Sequence, residues 1–496
     1  MASAATLASW YPDGTAKAKQ LTNANIFQRN LEAALDLRRA EGGFFKIQKG
    51  LPAPDSVDFS TLDVLSLTSS GTMRHAYLEE LARHPEFKLN DGSSRLMSDS
   101  SYTDAAEREI AEFHGAETAL MLKSGWDANG AIMTAIPRPG DAIVYDELIH
   151  ASIHEGMNLS LAATKVAFKH NDVDSFREVL LNIRETQQLI REGKRCVLVS
   201  VESVYSMDGD VVPLKEMVLI GKEIFPEGVV QFIIDEAHST GVIGEGGKGL
   251  VNELGLEKEI AVRMHTYGKA LATSGGGKLA SLSTVREMLV NYGRVIIYSN
   301  APQFSIIAAI RAAYTFMKSG QIEPVSPPCR PKKEHMFLAH PRITDKISCL
   351  TQLQAQLQSR IRYFYKAITS RPIYDEANDA GILSIPNAEN WEAETLLTHI
   401  SYILTRQRYT LYLYFHLQLA KFIVLPINYP VVPKGKSRVR IVFHARHTDT
   451  QLDALADSIC NFAEEMLAIE AAGKKANKVP TAARQVYAAR QGTVAA

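Results

Sequence analysis

The stretch from Gln231 to Lys269 constrains the fold more than any other part of this 496-residue chain. It opens with an apolar run, Phe232–Ile234, that has the length of a buried parallel strand and ends on an acid, Asp235. His238 follows three residues later. Because the carboxyl end of a parallel strand delivers polar groups to a crevice, Asp235 and His238 are candidate site residues.

An amine follows this acid in the same stretch. Lys269 lies 34 residues after Asp235 (269 − 235), between Gly268 and a run of small residues. Pyridoxal phosphate requires such a pair of groups. A lysine forms a Schiff base with its aldehyde, and an aspartate keeps its pyridine nitrogen protonated so that the ring serves as an electron sink. The stretch therefore predicts a pyridoxal-phosphate site.

Length and composition limit the classes of protein that remain. A chain of 496 residues exceeds one ordinary core, so two or three domains are expected. Hydrophobic residues at 46% and charged residues at 22% are typical of a soluble globular protein, and a net charge of −1 argues against a nucleic-acid partner. No uniform apolar run of about 18 residues predicts a membrane span. Four scattered cysteines and an N-terminus without a signal-peptide pattern make the cytoplasm the expected location.

Further motifs along the chain resemble those of one enzyme family. Besides the runs around Asp235 and Lys269, these motifs are Ser124–Asn129, Glu202–Asp210, Tyr298–Pro302 and Pro430–Ile441. With them the chain resembles the α-oxoamine synthases, a family of fold-type I pyridoxal-phosphate enzymes, from about Asp58 to about Asp449. The resemblance implies an α/β fold, with a large, mostly parallel-sheet domain and a small α+β C-terminal domain.

The resemblance also implies which residues hold the cofactor, pyridoxal 5′-phosphate. Lys269 would form the Schiff base, and Asp235 would pair with the ring nitrogen. His238 would hydrogen-bond the 3′-oxygen of the ring, and His150 would stack on the ring face. Gly125, Trp126 and Thr266 would contact the phosphate. Glu202 and Ser206 would lie at the edge of the cofactor.

Substrates and assembly follow from the same resemblance. Arg440 would bind the carboxylate of a small amino acid, and Arg95 would lie beside the channel for an acyl thioester. Ser299 and Asn300 would reach the cofactor phosphate of the neighbouring subunit, which implies a homodimer with a shared active site. Leu62 stands where the family usually has an asparagine that contacts the amino acid, and a leucine cannot donate that hydrogen bond.

The pattern of helices, strands and turns predicts four segments. They are an N-terminal arm with one helix at 1–65, a large cofactor-binding domain at 66–325, a small domain at 326–470 and a loosely ordered tail at 471–496. Strand–helix alternation from Leu120 to Ser281 favours the mostly parallel sheet. The proline-rich passage 324–341 marks the change of domain.

These motifs predict the decarboxylative condensation of a small amino acid with an acyl thioester, giving an α-amino ketone. Two alternatives stay open: an aminotransferase, and a non-catalytic subunit of the same fold, against which Lys269 argues. The acyl donor is open among a dicarboxylic acyl-CoA, a fatty acyl-CoA and a carrier-bound polyketide.

Two further patterns in the sequence are not interpreted as binding sites. Gly244–Gly249 matches G-x-G-x-x-G without directly following a strand, and His150 with His154 lacks further metal ligands at the right spacing.

Overall fold

The structure is a computed structural model, and it describes most of the chain. The described residues are 3–10, 16–21, 23–40, 44, 46, 55–98, 101–280, 282–319, 349–472 and 479–494. The domain change predicted at 324–341 lies outside them. None of the helices in these ranges combines the length and the hydropathy that a bilayer crossing requires.

The chain divides into two compact units, which are described separately. The large unit comprises Leu62–Ser206 and Val211–Gln356, and the small unit comprises Met1–Thr61, Met207–Asp210 and Leu357–Ala496. The N-terminal segment, predicted to form an arm of its own, thus groups with the C-terminal part of the chain.

Strands account for the sheets of both units. In chain order they are β1 (Val57–Asp58), β2 (Thr118–Leu122), β3 (Ala142–Asp146), β4 (Thr164–Phe168), β5 (Val197–Glu202), β6 (Val230–Asp235), β7 (Ile260–Thr266), β8 (Gly276–Ala280), β9 (Leu383–Ser384), β10 (Ile400–Thr405), β11 (Phe422–Ile423), β12 (Leu425–Ile427) and β13 (Arg438–Val442).

Helices connect these strands. In chain order they are α1 (Ala4–Trp10), α2 (Ile26–Ala40), α3 (Thr72–Ala82), α4 (Ser101–Phe113), α5 (Gly125–Ala135), α6 (Ala151–Asn158), α7 (Val173–Thr186), α8 (Gln188–Arg191), α9 (Leu214–Ile224), α10 (Leu250–Glu253), α11 (Ser283–Tyr292), α12 (Arg294–Tyr298), α13 (Phe304–Ser319), α14 (Cys349–Thr369), α15 (Pro372–Asp379), α16 (Tyr409–Leu419), α17 (Asp449–Ala471) and α18 (Thr481–Val494). Short 3₁₀ turns lie at Ala18–Gln20, Glu245–Gly247 and Pro386–Ala388.

A seven-stranded sheet organises the large unit, in the order β2-β8-β7-β6-β5-β3-β4. The strands from β7 to β4 pair in parallel, whereas β8 runs antiparallel to both β2 and β7. Alternating strands and helices give such a sheet because parallel neighbours need a crossover, usually a helix. The mostly parallel sheet that the sequence predicts is confirmed, with β8 as an antiparallel addition.

The core of the large unit lies between this sheet and the helices α5 and α6. Its buried side chains come from several strands and from both helices, among them Leu120, Ile132, Ile143, Ile153 and Val262. The strand β6 has an apolar centre, with Phe232, Ile233 and Ile234 all buried, as expected for a strand covered on both faces. Its register therefore fixes where Asp235 leaves the sheet.

The small unit contains a four-stranded antiparallel sheet in the order β12-β13-β10-β9 and a separate parallel pair, β1-β11. The long helix α17 begins at a capping box in which Thr448 and Gln451 satisfy each other's backbone N–H groups. The central strand β13 is buried along its whole length and carries both Arg438 and Arg440.

The C-terminal tail differs from the prediction. Residues 471–496 were expected to be loosely ordered, but Thr481–Val494 form the helix α18, which packs against α1 and α16. Three small apolar side chains of α18 are buried: Ala482, Ala483 and Val486. The sequence pattern is weak because alanines carry little hydrophobic signal, although they allow close packing of helices.

Candidate active site

Three polar side chains emerge at the carboxyl ends of adjacent parallel strands. Glu202 ends β5, Asp235 ends β6 and Thr266 ends β7. Glu202 pairs in register with Asp235, and Asp235 pairs with Met264, two residues before Thr266. Parallel pairing brings these strand ends to one edge of the sheet, which is where open α/β sheets bind ligands.

Asp235 is buried and held at both carboxylate oxygens. Its Oδ2 accepts a hydrogen bond of 2.9 Å from Nδ2 of Asn129, and its Oδ1 accepts one of 2.9 Å from the backbone N–H of Ala237. Nδ2 of Asn129 also lies 3.0 Å from Oγ of Ser152. Donors on both oxygens suit an ionised carboxylate, the form that would pair with a protonated pyridine nitrogen.

Lys269 contacts His238, another of the predicted site residues. The Nζ atom of Lys269 lies 2.8 Å from Nε2 of His238. The lysine is half-buried in the loop after β7, and the histidine is buried in the turn after β6. An amine in contact with an imidazole can exchange a proton with it, so the pair can act as an acid and a base.

Glu202 and His150 add two uncharged groups. Burial, with the nearby negative charge of Asp235, raises the pKa of Glu202 well above its usual value, which favours the protonated form of this carboxyl group. Burial chiefly lowers the pKa of His150, so its ring is neutral. Nδ1 of His150 accepts the N–H of Ser152 at 3.2 Å and thereby caps α6. The charge at these strand ends thus rests mainly on Asp235 and Lys269.

A cradle for an anion lies at the start of α5. Ser124 caps this helix, accepting the N–H of Asp127 at 3.0 Å, and Gly125 and Trp126 are its first residues. A Cβ added to Gly125 would lie 3.2 Å from Cβ of Thr266, so the glycine keeps the Thr266 hydroxyl beside the helix N-terminus. The N–H groups of a first helical turn and a neighbouring hydroxyl are suited to a phosphate.

These residues fit pyridoxal phosphate in this structure. The cradle has room that a Cβ at Gly125 would fill, Asp235 is a buried acid with donors on both oxygens, and Lys269 is an amine in contact with an imidazole. Trp126 and His150 meet at ring centroids 5.9 Å apart and 77° between planes. Ser206 lies half-buried after β5.

Ser299 and Asn300 lie beside the loop that carries Arg95. The backbone of Asn300 forms an antiparallel bridge with Ser94, and Oγ of Ser299 lies 3.4 Å from Nζ of Lys123. Arg95 forms ion pairs with the carboxylates of Asp104 and Glu107, the latter at 3.2 Å. The charge of Arg95 is therefore balanced by its own neighbours, and its predicted role in substrate binding stays a prediction.

The two arginines of β13 differ in their partners. Arg438 forms an ion pair with Asp208, and its guanidinium lies over the ring of Tyr402, 4.9 Å from the centroid. Arg440 pairs in register with Tyr402 and Leu425. Burial lowers the pKa of both groups. Asp208 therefore balances the charge of Arg438, and the predicted role of Arg440 in binding a substrate carboxylate stays a prediction.

One group of the site, Asn129, and one buried pair behind the site, Glu236 and His265, were missed by sequence reasoning. Asn129 lies in the motif Ser124–Asn129, for which no role of this residue was predicted. A polar residue inside the apolar helix α5 is nevertheless a signal of a functional contact. The buried pair Glu236 and His265, next to Asp235 and Thr266, was passed over because neither residue had a motif role.

Comparison with known proteins decides the family. The model of the aminotransferase class I and II family matches residues 55–325. Aminoacyl transferase sphA of Aspergillus fumigatus is 48% identical over 482 residues, covering 97% of this chain and 96% of that protein. The 8-amino-7-oxononanoate synthase of Emericella nidulans is 37% identical, covering 87% of this chain and 95% of that protein. The chain belongs to the α-oxoamine synthase family.

Solved structures of other proteins share the fold of this α-oxoamine synthase. Sphingomonas wittichii serine palmitoyltransferase superimposes with a TM-score of 0.65 at 22% identity, covering 82% of this chain and 87% of that one. The 8-amino-7-oxononanoate synthase of Francisella tularensis gives 0.59 at 24% identity, covering 83% and 98%. The fold is that of the fold-type I pyridoxal-phosphate transferases. The predicted family, fold class and cofactor class are therefore confirmed, and the chain is an acyltransferase of this type.

Proposed function

We propose that this α-oxoamine synthase condenses a small amino acid, such as glycine, alanine or serine, with an acyl thioester. Carbon dioxide and a free thiol leave, and an α-amino ketone remains. Relatives named aminoacyl transferase and 8-amino-7-oxononanoate synthase support this substrate pair. A coenzyme A ester and a carrier-bound acyl or polyketide chain are the two forms of thioester to be compared.

The contact between Lys269 and His238 carries the proposal. The reaction needs a base that removes the α-proton of the amino acid and later returns a proton to the product, and Nζ of Lys269 is the group at hand. Its neighbour at 2.8 Å, Nε2 of His238, can take up or supply that proton. When bound, the cofactor supplies an electron-withdrawing pyridine ring at the α-carbon.

In this proposal the cofactor ring faces a single negative charge. Asp235 carries that charge, and Glu202 and His150 favour their uncharged forms. Asp235, fixed by Asn129 and the N–H of Ala237, presents one negative charge to the protonated pyridine nitrogen. Burial raises the pKa of Glu202 and so favours its protonated form, which adds no second charge. His150 is neutral because burial lowers its pKa, and an uncharged ring can stack on the pyridine face. Ser206 is proposed to contact the edge of the cofactor.

Arg440 is proposed to hold the carboxylate of the amino acid. A planar guanidinium binds a carboxylate through two parallel hydrogen bonds and so fixes its plane. Such a hold sets which bond of the α-carbon is broken. Leu62 offers no polar group for this carboxylate, so the work falls on the arginine. Arg95 is proposed to line the path of the thioester.

The assembly is proposed to be a homodimer with a shared active site. Ser299 and Asn300 would reach the cofactor phosphate of the second copy. Their surroundings support a covered surface, because Tyr298 is 79% exposed and Met97, on the adjoining loop, is 83% exposed. Apolar side chains that lie exposed together favour an interface. The cytoplasm remains the predicted location.

The proposal is tested by the release of thiol. The purified protein is incubated with pyridoxal phosphate, with glycine, alanine or serine, and with a panel of acyl-CoA and carrier-bound thioesters, and free thiol is measured. We expect release that depends on both the amino acid and Lys269. Release that is independent of the amino acid would identify a thioesterase, and no release with any pair would contradict the proposal.

A further inference from the structure

Two fully buried ionisable groups lie directly behind the site and take no part in the mechanism above. Glu236 follows Asp235 on the chain, and His265 precedes Thr266; both are 0% exposed. Along extended chain, successive side chains point to opposite sides, so each of these groups points away from the cofactor side that its neighbour faces. Their closest atoms, Oε2 of Glu236 and Nε2 of His265, are 3.6 Å apart.

The hydrogen bonds of Thr240 determine where His265 carries its proton. The Thr240 hydroxyl lies 2.6 Å from the carbonyl oxygen of Glu236, which can only accept, so the hydroxyl donates its one hydrogen there. The same oxygen lies 2.8 Å from Nδ1 of His265. Because the hydroxyl has no hydrogen left to give, Nδ1 of His265 must be the donor. In a neutral ring the other nitrogen, Nε2, is then a bare lone pair.

This bare nitrogen faces a carboxyl oxygen. Among the described residues, neither Oε2 of Glu236 nor Nε2 of His265 has a hydrogen-bond partner. The other oxygen, Oε1, accepts the N–H of Val251 at 2.8 Å, which leaves Oε2 as the oxygen that faces His265. Two lone pairs facing each other in a closed interior repel, and one proton on either atom turns this repulsion into an attraction.

We propose that Glu236 and His265 share one buried proton and act together as positioning residues for His238. The turn that carries His238 is tied to this pair at both ends. Thr240 links His265 to the carbonyl of Glu236, and the N–H groups of Ser239 and Thr240 donate to the same carbonyl at 3.2 and 3.0 Å. His238, whose imidazole contacts Lys269, therefore lies in a turn that is hydrogen-bonded to the Glu236–His265 pair.

The charges around the pair act on Glu236 in opposite directions: Arg263 favours its ionised form and Asp235 its protonated form. On β7, Arg263 faces Glu236 but donates both of its terminal nitrogens to the carbonyl of His114, at 3.0 Å. Asp235 adds a negative charge from β6. Four other ionisable groups surround His265 and Arg263: His114, which follows α4, Tyr314 from α13, Lys248 and Glu257.

Burial decides which partner holds the proton. It raises the pKa of Glu236 to about 7 and lowers the pKa of His265 well below its usual value, so the proton rests on the carboxyl group. The protonated pair is uncharged. Loss of this proton at higher pH would place a second negative charge beside Asp235 and set Oε2 of Glu236 against the lone pair on Nε2 of His265. The resulting repulsion would push the turn of His238 out of place.

Infrared spectroscopy of the holoenzyme tests for the proton itself. The C=O stretch of a protonated carboxylic acid should disappear from the wild type as pH rises through about 7, and the disappearing band should be absent from Glu236→Gln. Glu202→Gln identifies the band of the other buried carboxyl group. A titrating band that persists in Glu236→Gln, or a wild type without one, would overturn the proposal.

Thr240 supplies a matched pair of variants that keeps both members of the proton pair. Thr240→Val removes the hydroxyl that fixes the tautomer, so His265 can donate from Nε2 to an ionised Glu236, and the infrared transition should move to lower pH. Thr240→Ser keeps the hydroxyl and should leave the transition in place. Equal transitions in the two variants would contradict the tautomer argument.

The positioning role has its own readout, and this part rests on the proposed function. In the wild type, the pH profile of kcat should fall on its alkaline side with the infrared transition. Glu236→Gln, which mimics the protonated acid, should keep kcat near neutral pH and lose that limb. An unchanged profile in Glu236→Gln would refute positioning while leaving the buried proton intact, and absence of condensation in the wild type would instead refute the proposed function.

Discussion

At the scale of single residues, Lys269 determines whether the cofactor is attached at all. In the wild type, borohydride should fix the cofactor to the chain, and a modified peptide containing Lys269 should appear by mass spectrometry. Lys269→Ala should lose this modification because it removes the amine that contacts His238. Lys215→Ala, on the exposed side of α9, is the control and should be fixed like the wild type. A modified peptide elsewhere in Lys269→Ala would show that the lysine is wrongly assigned.

Arg440 determines the affinity for the amino acid. Arg440→Lys keeps the charge but loses the two parallel hydrogen bonds, and a charge-assisted hydrogen bond contributes about 1.5–3 kcal/mol. We expect KM for the amino acid to rise by about one to two powers of ten, with a smaller change in KM for the thioester.

Arg438→Lys is the comparison on the same strand, because Asp208 already engages that arginine. It should change KM for the amino acid far less than Arg440→Lys does. If the two variants exchange these effects, Arg438 binds the carboxylate.

At the scale of elements, the N-terminus of α5 determines phosphate affinity. A methyl group at Gly125 would meet Cβ and Oγ1 of Thr266 at 3.2 and 3.3 Å, so the hydroxyl would have to move away from the helix end. Gly125→Ala should weaken cofactor binding by about 1 kcal/mol, roughly five-fold in Kd, measured by titrating the apo-protein with pyridoxal phosphate.

The same helix provides the control for this prediction. A Cβ at Gly130 meets nothing within 4 Å, so Gly130→Ala should leave Kd unchanged and raise helix stability by up to about 1 kcal/mol. A loss of affinity in both variants would place the cause in the helix as a whole, not in its N-terminus.

Elements were predicted from the sequence where local signals were strong. The apolar run of β6 predicts a buried strand ending on Asp235, and the turn Ser124–Gly125 predicts the start of α5; both are confirmed. The antiparallel strand β8 is rich in glycine, and glycines carry no period from which a strand can be recognised. The helix α18 was missed because its contacts come from distant parts of the chain.

The partners of the site residues were less predictable than the residues themselves. Asn129 is separated from Asp235 by 106 positions, and His265 from Thr240 by 25. A single sequence does not contain such pairings, since they depend on how strands and helices pack. Chemistry-bearing residues could therefore be named from their setting, whereas the groups that fix their orientation required the structure.

At the scale of the whole molecule, the shared active site predicts complementation between two inactive variants. Lys269→Ala lacks the amine, and the double variant Ser299→Ala with Asn300→Ala lacks the contacts proposed for the phosphate of the second copy. In mixed dimers one of the two sites regains all of these groups. Random pairing of equal amounts should restore about a quarter of the wild-type activity.

Two controls accompany this mixture. Each variant alone should stay inactive at the same total concentration, and sedimentation should show dimers in every sample. A wild type that sediments as a fully active monomer would rule out the shared site.

The central claim, decarboxylative condensation, is tested most directly by following the carboxyl group of the amino acid. An aminotransferase and a synthase both remove the α-proton, but only the synthase loses the carboxylate after the acyl group is attached. With carboxyl-labelled glycine, alanine or serine and an accepted thioester, label should leave as carbon dioxide in step with free thiol, and little should leave without the thioester. Label retained in a keto acid formed at the same rate would contradict the account and identify an aminotransferase.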